Sequence, residues 1–195
     1  MTEPSTTKMI SYSSPDGRKM ESVRVALSGL ALRATGYIVS TQDPAYGAVY
    51  SIAVDGEGRT RRITVRSDDV SGERSLSLTR SPGGPWVAES VTGSVPVPAL
   101  NDAIDVYVAD SAFSAMLPIR RLGLHTTVGA SVEVTVASIS LPDLTVTPMV
   151  QVGRNESVTD EGALISYTGS YGERKVLVDH DGLFIRTDGI TERVG

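Results

Sequence analysis

The 195-residue chain has no cysteine, two histidines, one tryptophan and two phenylalanines. Without cysteine there are no disulfides, no thiol catalysis and no cysteine metal ligands. His125 and His180 each lack a second histidine at ligand spacing, so no metal set and no Ser–His–Asp triad is assigned. No G-x-S-x-G elbow is present, and Gly56-Glu57-Gly58 and Gly83-Gly84 fit hairpins, not the strand-to-helix turn that cradles phosphate. The carboxylate pairs Asp68-Asp69 and Asp160-Glu161 lie in polar stretches that read as solvated loops. The expectation is therefore a non-enzyme without cofactor. The charge balance, 18 Lys and Arg against 23 Asp and Glu, gives a net charge of −5 and no basic surplus for nucleic acid. No apolar run approaches the roughly 18 residues of a membrane helix, which argues against membrane insertion. The polar start Met1-Thr2-Glu3-Pro4-Ser5-Thr6-Thr7-Lys8 lacks a signal-peptide core, so a cytoplasmic location is expected.

What the chain has in quantity is alternation. With 40% hydrophobic and 21% charged residues, its length suits one domain with a sizeable core. Val23–Ser28, Arg62–Arg66, Ser75–Thr79, Ser131–Val136, Lys175–Asp179 and Gly182–Arg186 all alternate with period two, rich in the β-branched residues that pack well on a pleated surface. Pro15-Asp16-Gly17, Asp55-Gly56-Glu57-Gly58, Ser81-Pro82-Gly83-Gly84-Pro85 and Asp179-His180-Asp181-Gly182 punctuate these runs as hairpin turns. One helical candidate stands out, Asp110–Met116, capped by Asp or Ser and stopped by Pro118. Pro96–Leu100 reads as extended or loop. These signals predict an all-β, mainly antiparallel fold, a sandwich or barrel with at most one or two short helices. The organisation expected is a polar segment over residues 1–22 and a single β-barrel-like domain over 23–195.

The most specific string is Ile104-Asp105-Val106-Tyr107-Val108-Ala109-Asp110-Ser111-Ala112-Phe113-Ser114-Ala115-Met116-Leu117-Pro118-Ile119-Arg120-Arg121-Leu122. It resembles the signature of the bacterial Putative glycolipid-binding family, approximately D-[VI]-D-L-x-x-T-P-F-T-N-T-L-P-I-R-R-L. Pro82-Gly83-Gly84-Pro85-Trp86 is similar to the family's D-G-x-G-x-W turn, and Val97–Ala103 to its run into the signature. Leu141–Val146 and Leu177–Leu183 are similar to its P-x-L and D-x-x-G-L segments. The family's T-P-F-T-N-T is here Ser111-Ala112-Phe113-Ser114-Ala115-Met116, so its Pro and Asn and one Thr are absent. The resemblance implies a fold similar to periplasmic lipoprotein carriers: a strongly curved antiparallel sheet, closed or nearly closed, around an apolar interior. It implies a lipid or glycolipid ligand.

Within that frame the candidate ligand-binding residues are Arg120, Arg121, Phe113, Trp86, Tyr107 and Asp105. If Arg120-Arg121 lie on a strand, one at most points inward; it either grips a head group or pairs with a buried carboxylate such as Asp105. Trp86, Phe113, Tyr37, Tyr46, Tyr50, Tyr107, Tyr167 and Tyr171 either line an acyl or sugar pocket or fill the core. Three functions follow. An amphiphile carrier needs a hollow interior; an enzyme of unrecognised class needs a carboxylate and an arginine converging in a cavity; a structural or interaction module needs an exposed edge or patch.

Overall fold

The structure, a computed structural model, describes residues 5–90, 93–129, 131–170 and 172–195. Among the described residues, fifteen strands form one sheet. Eight precede the signature: β1 (Thr6–Ser13), β2 (Lys19–Ser28), β3 (Ala31–Ser40), β4 (Tyr46–Val54), β5 (Thr60–Asp69), β6 (Gly72–Arg80), β7 (Trp86–Ser90) and β8 (Gly93–Pro96). The short β9 (Asp105–Val108) opens the signature, and six follow it: β10 (Val132–Ile139), β11 (Val146–Val158), β12 (Ala163–Gly169), β13 (Gly172–Val178), β14 (Phe184–Thr187) and β15 (Thr191–Val194). The all-β, mainly antiparallel class read from the sequence is thus present. Residues 6–22 carry β1 and the start of β2, with β1 paired on both sides, to β2 and β15.

The order runs β8 through β1, then β15 down to β9; among the described strands β9–β10 is the one parallel pair. The sheet is strongly curved but not closed by a ladder. Its two halves meet at Ile104, whose carbonyl accepts from the Thr60 N–H and whose N–H donates to the Thr135 carbonyl, both at 3.3 Å. Trp86 and Arg80 anchor the stretch that makes this closure. The buried Trp86 indole donates to the Ala103 carbonyl at 2.8 Å, and Arg80 donates to the carbonyls of Ala103 (2.5 Å) and Asn101 (3.2 Å) while lying over the indole face. Within that stretch Pro98–Leu100 is a 3-10 turn, not the extended segment or loop expected, because proline suits the first turn of a helix.

Alternation does its work on the inner face. β2 buries Glu21, Val23, Val25 and Leu27, β3 buries Leu32, Ala34 and Ile38, and β4 buries Tyr46, Ala48, Tyr50, Ile52 and Val54. At the β9–β10 end both faces are covered: Val106, Val108, Ala137 and Ile139 join the main core, while Val134 and Val136 pack with Met149.

Inside the curve lie two short helices, α1 (Ala112–Ala115) and α2 (Leu117–Leu122). The expected stop at Pro118 is therefore corrected: Pro118 sits in the first turn of α2, where a missing N–H costs nothing. The strand placement of Arg120-Arg121 is corrected with it, because both residues lie in the last turn of α2. Antiparallel pairing puts the β1–β2, β3–β4, β12–β13 and β14–β15 turns at one end of the molecule, the mouth. The β2–β3, β4–β5 and β13–β14 turns lie at the other, the base. The chain enters at the mouth after β9, runs through the interior as α1 and α2, and leaves at the base.

Candidate functional site

At the base, α2 is stapled to the turns around it. Arg120 is 8% exposed and donates to the carbonyls of Gly29, at 2.8 Å in the β2–β3 turn, and Asp181, in the β13–β14 turn. A side chain on Gly182 would collide with Arg120 (2.9 Å from Cγ) and His125 (3.1 Å from Nδ1), and its φ of +71° also favours glycine. Arg121 donates from Nε (3.0 Å) and Nη2 (2.8 Å) to a single oxygen of Asp105, which is wholly buried. Burial pushes the Asp105 carboxyl up, and the Arg121 guanidinium opposes that shift. Of the two alternatives read from the sequence, the structure places Arg121 in the ion pair with Asp105.

At the mouth, the start of α1 is fastened to the β2–β4 wall. Ser111 caps α1, its hydroxyl accepting from the Ser114 N–H at 2.9 Å. The same hydroxyl donates to Glu21 Oε1 at 2.6 Å, beside the Tyr50 hydroxyl, also at 2.6 Å. The Phe113 N–H reaches Glu21 Oε2 at 3.1 Å, so a carboxylate meets the unpaired amides of the helix start. Burial pushes Glu21 up, and these donors hold it back. Tyr50 reaches Glu21 because its cross-strand neighbour is Gly36: a Cβ there would lie 2.2 Å from the ring.

With α1 held against β2 and β4, the opposite side of the interior is left open as a cleft of about 460 Å³. One wall is α1 with Tyr107; the other comes from β11 to β15 with the turns of the mouth. Its deeper surface is apolar, with Phe184, Met149, Val176 and Ala112 all buried. The Tyr167 ring also lines it, lying against Gly153, where a Cβ would come within 3.0 Å. The Tyr167 hydroxyl is buried without a hydrogen-bond partner among the described residues, and burial pushes it up. The rim is polar: Ser14, Asp16, Lys19, Gln42 and Asp110 line it with Ser170 of the β12–β13 turn and the strand-end threonines Thr187 and Thr191 beside the β14–β15 turn. Asp110 accepts from Lys19 Nζ at 2.5 Å and from the Tyr46 hydroxyl at 2.6 Å.

Of the six residues read as ligand-binding, Tyr107 lines this cleft. Trp86 and Phe113 are wholly buried in the main core, and Arg120, Arg121 and Asp105 form the packing at the base. Tyr46 and Tyr50 hold the α1 side, Tyr37 is exposed on the outer face, and Tyr171 lies outside the described residues. Lys19, Glu21 and Asp110 escape a motif-based reading. For Glu21 the signal is its phase, since it falls on the Val23, Val25 and Leu27 face of its strand. Among the described residues, no group of three or more His, Asp or Glu is placed to hold a metal, and no helix is long and apolar enough to cross a membrane.

Fold and cleft together define a mostly β protein with a strongly curved sheet and a partly filled interior. The chain belongs to the family described as "Putative glycolipid-binding", whose model matches residues 9–193. It is similar in fold to the crystal structure of a DUF1089 family protein from Pseudomonas aeruginosa: TM-score 0.76 and 24% identity over 93% of this chain and 95% of that one. A β-barrel-like protein of DUF1849 from Brucella abortus aligns with a TM-score of 0.48 and 7% identity over 98% and 94% of the two chains. No curated protein matches the chain.

Proposed function

We propose that the chain binds a lipid or glycolipid as a non-catalytic holder, seating an apolar tail in the cleft between α1 and the β11–β15 wall. The observation that carries this is the gradient along the cleft, from buried Phe184, Met149 and Val176 to a charged and hydroxylated rim. Its volume, about 460 Å³, falls within the roughly 300–1,000 Å³ of small-molecule sites. The family description agrees with such a ligand. Asp105, Arg120, Arg121, Phe113 and Trp86 serve by shaping the interior, and Tyr107 by touching the ligand. The non-catalytic reading is supported by the two carboxyls that burial raises: Glu21 and Asp105 bond to structural donors, and neither lines the cleft.

Native mass spectrometry of the protein with dodecyl β-glucoside, below its micelle concentration, tests the proposal. A saturable one-to-one adduct, or a co-purified lipid that the glucoside displaces, is expected. No adduct and no lipid across the concentration range would remove it.

A further inference from the structure

We infer that the ion pair of Lys19 and Asp110 at the cleft mouth is a head-group site for a neutral hydroxylated group, and that it selects against charged heads. The inference rests on the proposed cleft and adds the chemistry of the ligand's polar end.

Asp110 has a left-handed backbone, φ +64°, which a residue with a side chain adopts seldom and usually at a functional or tightly constrained point. It directly precedes the cap of α1, so this turn sets where its carboxylate points. Each oxygen is held by one donor from the facing wall, Oδ1 by Lys19 of β2 and Oδ2 by Tyr46 of β4. A carboxylate offers about four lone-pair sites, so among the described residues two stay open, and the Lys19 ammonium has two further protons to give. Both side chains line the cleft and are only partly covered, 30% exposed for Asp110 and 29% for Lys19. The rim thus presents open acceptors beside open donors.

A hydroxyl both donates and accepts, so adjacent hydroxyls complement such a pair without adding charge. An anionic head would meet Lys19 already neutralised and Asp110 repelling it. A cationic head would face the converse. The charged groups lining the cleft are two acids, Asp16 and Asp110, and two bases, Lys19 and Arg174, of which Arg174 is itself engaged. Their formal sum is zero, so the lining itself carries no net charge that would favour ions of either sign.

The test is calorimetric binding of three twelve-carbon probes below their micelle concentrations: dodecyl β-glucoside, dodecyl sulfate and dodecyltrimethylammonium. The glucoside is expected to bind at least about tenfold tighter than either ion, given the strength of hydrogen bonds to charged groups. Asp110→Asn keeps the turn, because asparagine tolerates the left-handed conformation, and removes the negative charge that Lys19 pairs with. The variant should unfold at the wild-type temperature, lose about tenfold in glucoside affinity and gain affinity for dodecyl sulfate. A purely structural Asp110 would not produce that reversal. If all three probes bind alike, or Asp110→Asn leaves their order unchanged, the head-group site is overturned while the cleft stands. If no probe binds, both fall.

Discussion

Burying a carboxylate is costly unless hydrogen bonds replace its lost water, and Glu21 meets that cost with hydroxyl and amide donors. Its carboxyl is raised by burial, so the folded state holds its proton to a higher pH than the unfolded chain. Stability from this group is therefore greatest below its ordinary value of 4.5 and falls as pH rises from there to the raised folded value. Glu21→Gln, which cannot titrate, should flatten the unfolding midpoint over that window relative to the wild type; parallel profiles would contradict the assignment. The Asp105–Arg121 pair gives a second prediction. Arg121→Ala leaves a buried carboxylate unpaired and should cost about 3–5 kcal/mol in urea unfolding at neutral pH, whereas the double change Asp105→Leu with Arg121→Met should recover most of it. Period two makes the burial of Glu21 legible in the sequence. Its partners are not, because they lie 29 and 90 residues further along the chain: strand order and Gly36 bring Tyr50 across β3, and the inserted segment brings Ser111.

The strands were legible because their signal is local: alternation, β-branched residues and turns such as Asp179-His180-Asp181-Gly182, which the structure places between β13 and β14. The helix of the signature was legible only in part. Ser111 is its cap, but Pro118, read as its end, begins the second helix, because a proline at a first turn and one at a last turn look alike without the fold. Glycine–tyrosine pairing across neighbouring strands is a feature of the folded elements. Gly36 faces Tyr50 and Gly153 faces Tyr167, each glycine making room for the ring that crosses it. Gly36→Ala should therefore displace Tyr50 and cost about 1–3 kcal/mol. If Tyr50→Phe costs a similar amount and the two changes together cost far less than their sum, the glycine acts through the ring; strict additivity would contradict this. At the base, Arg120→Ala should speed amide exchange in the β2–β3 and β13–β14 turns while leaving that of the mouth turns unchanged, because it removes bonds to those two turns alone.

Across the whole molecule, one sheet curls around its own inserted segment, and the placement of that segment decides what room remains. Arg120 and Arg121 pin it at the base, Glu21 and Tyr50 pin it to the β2–β4 wall, and the opposite side becomes the cleft. An all-β curved fold follows from composition and alternation. The cleft does not, since it depends on which wall the helices lean against, a choice made by contacts between residues remote in the chain. Ala115 tests the central claim most directly, because it lines the cleft from α1 and has space in front of it. Ala115→Trp should fill that space, keep the wild-type unfolding temperature and weaken dodecyl β-glucoside binding at least about tenfold by calorimetry. Equal affinity in the filled variant and the wild type would contradict the account.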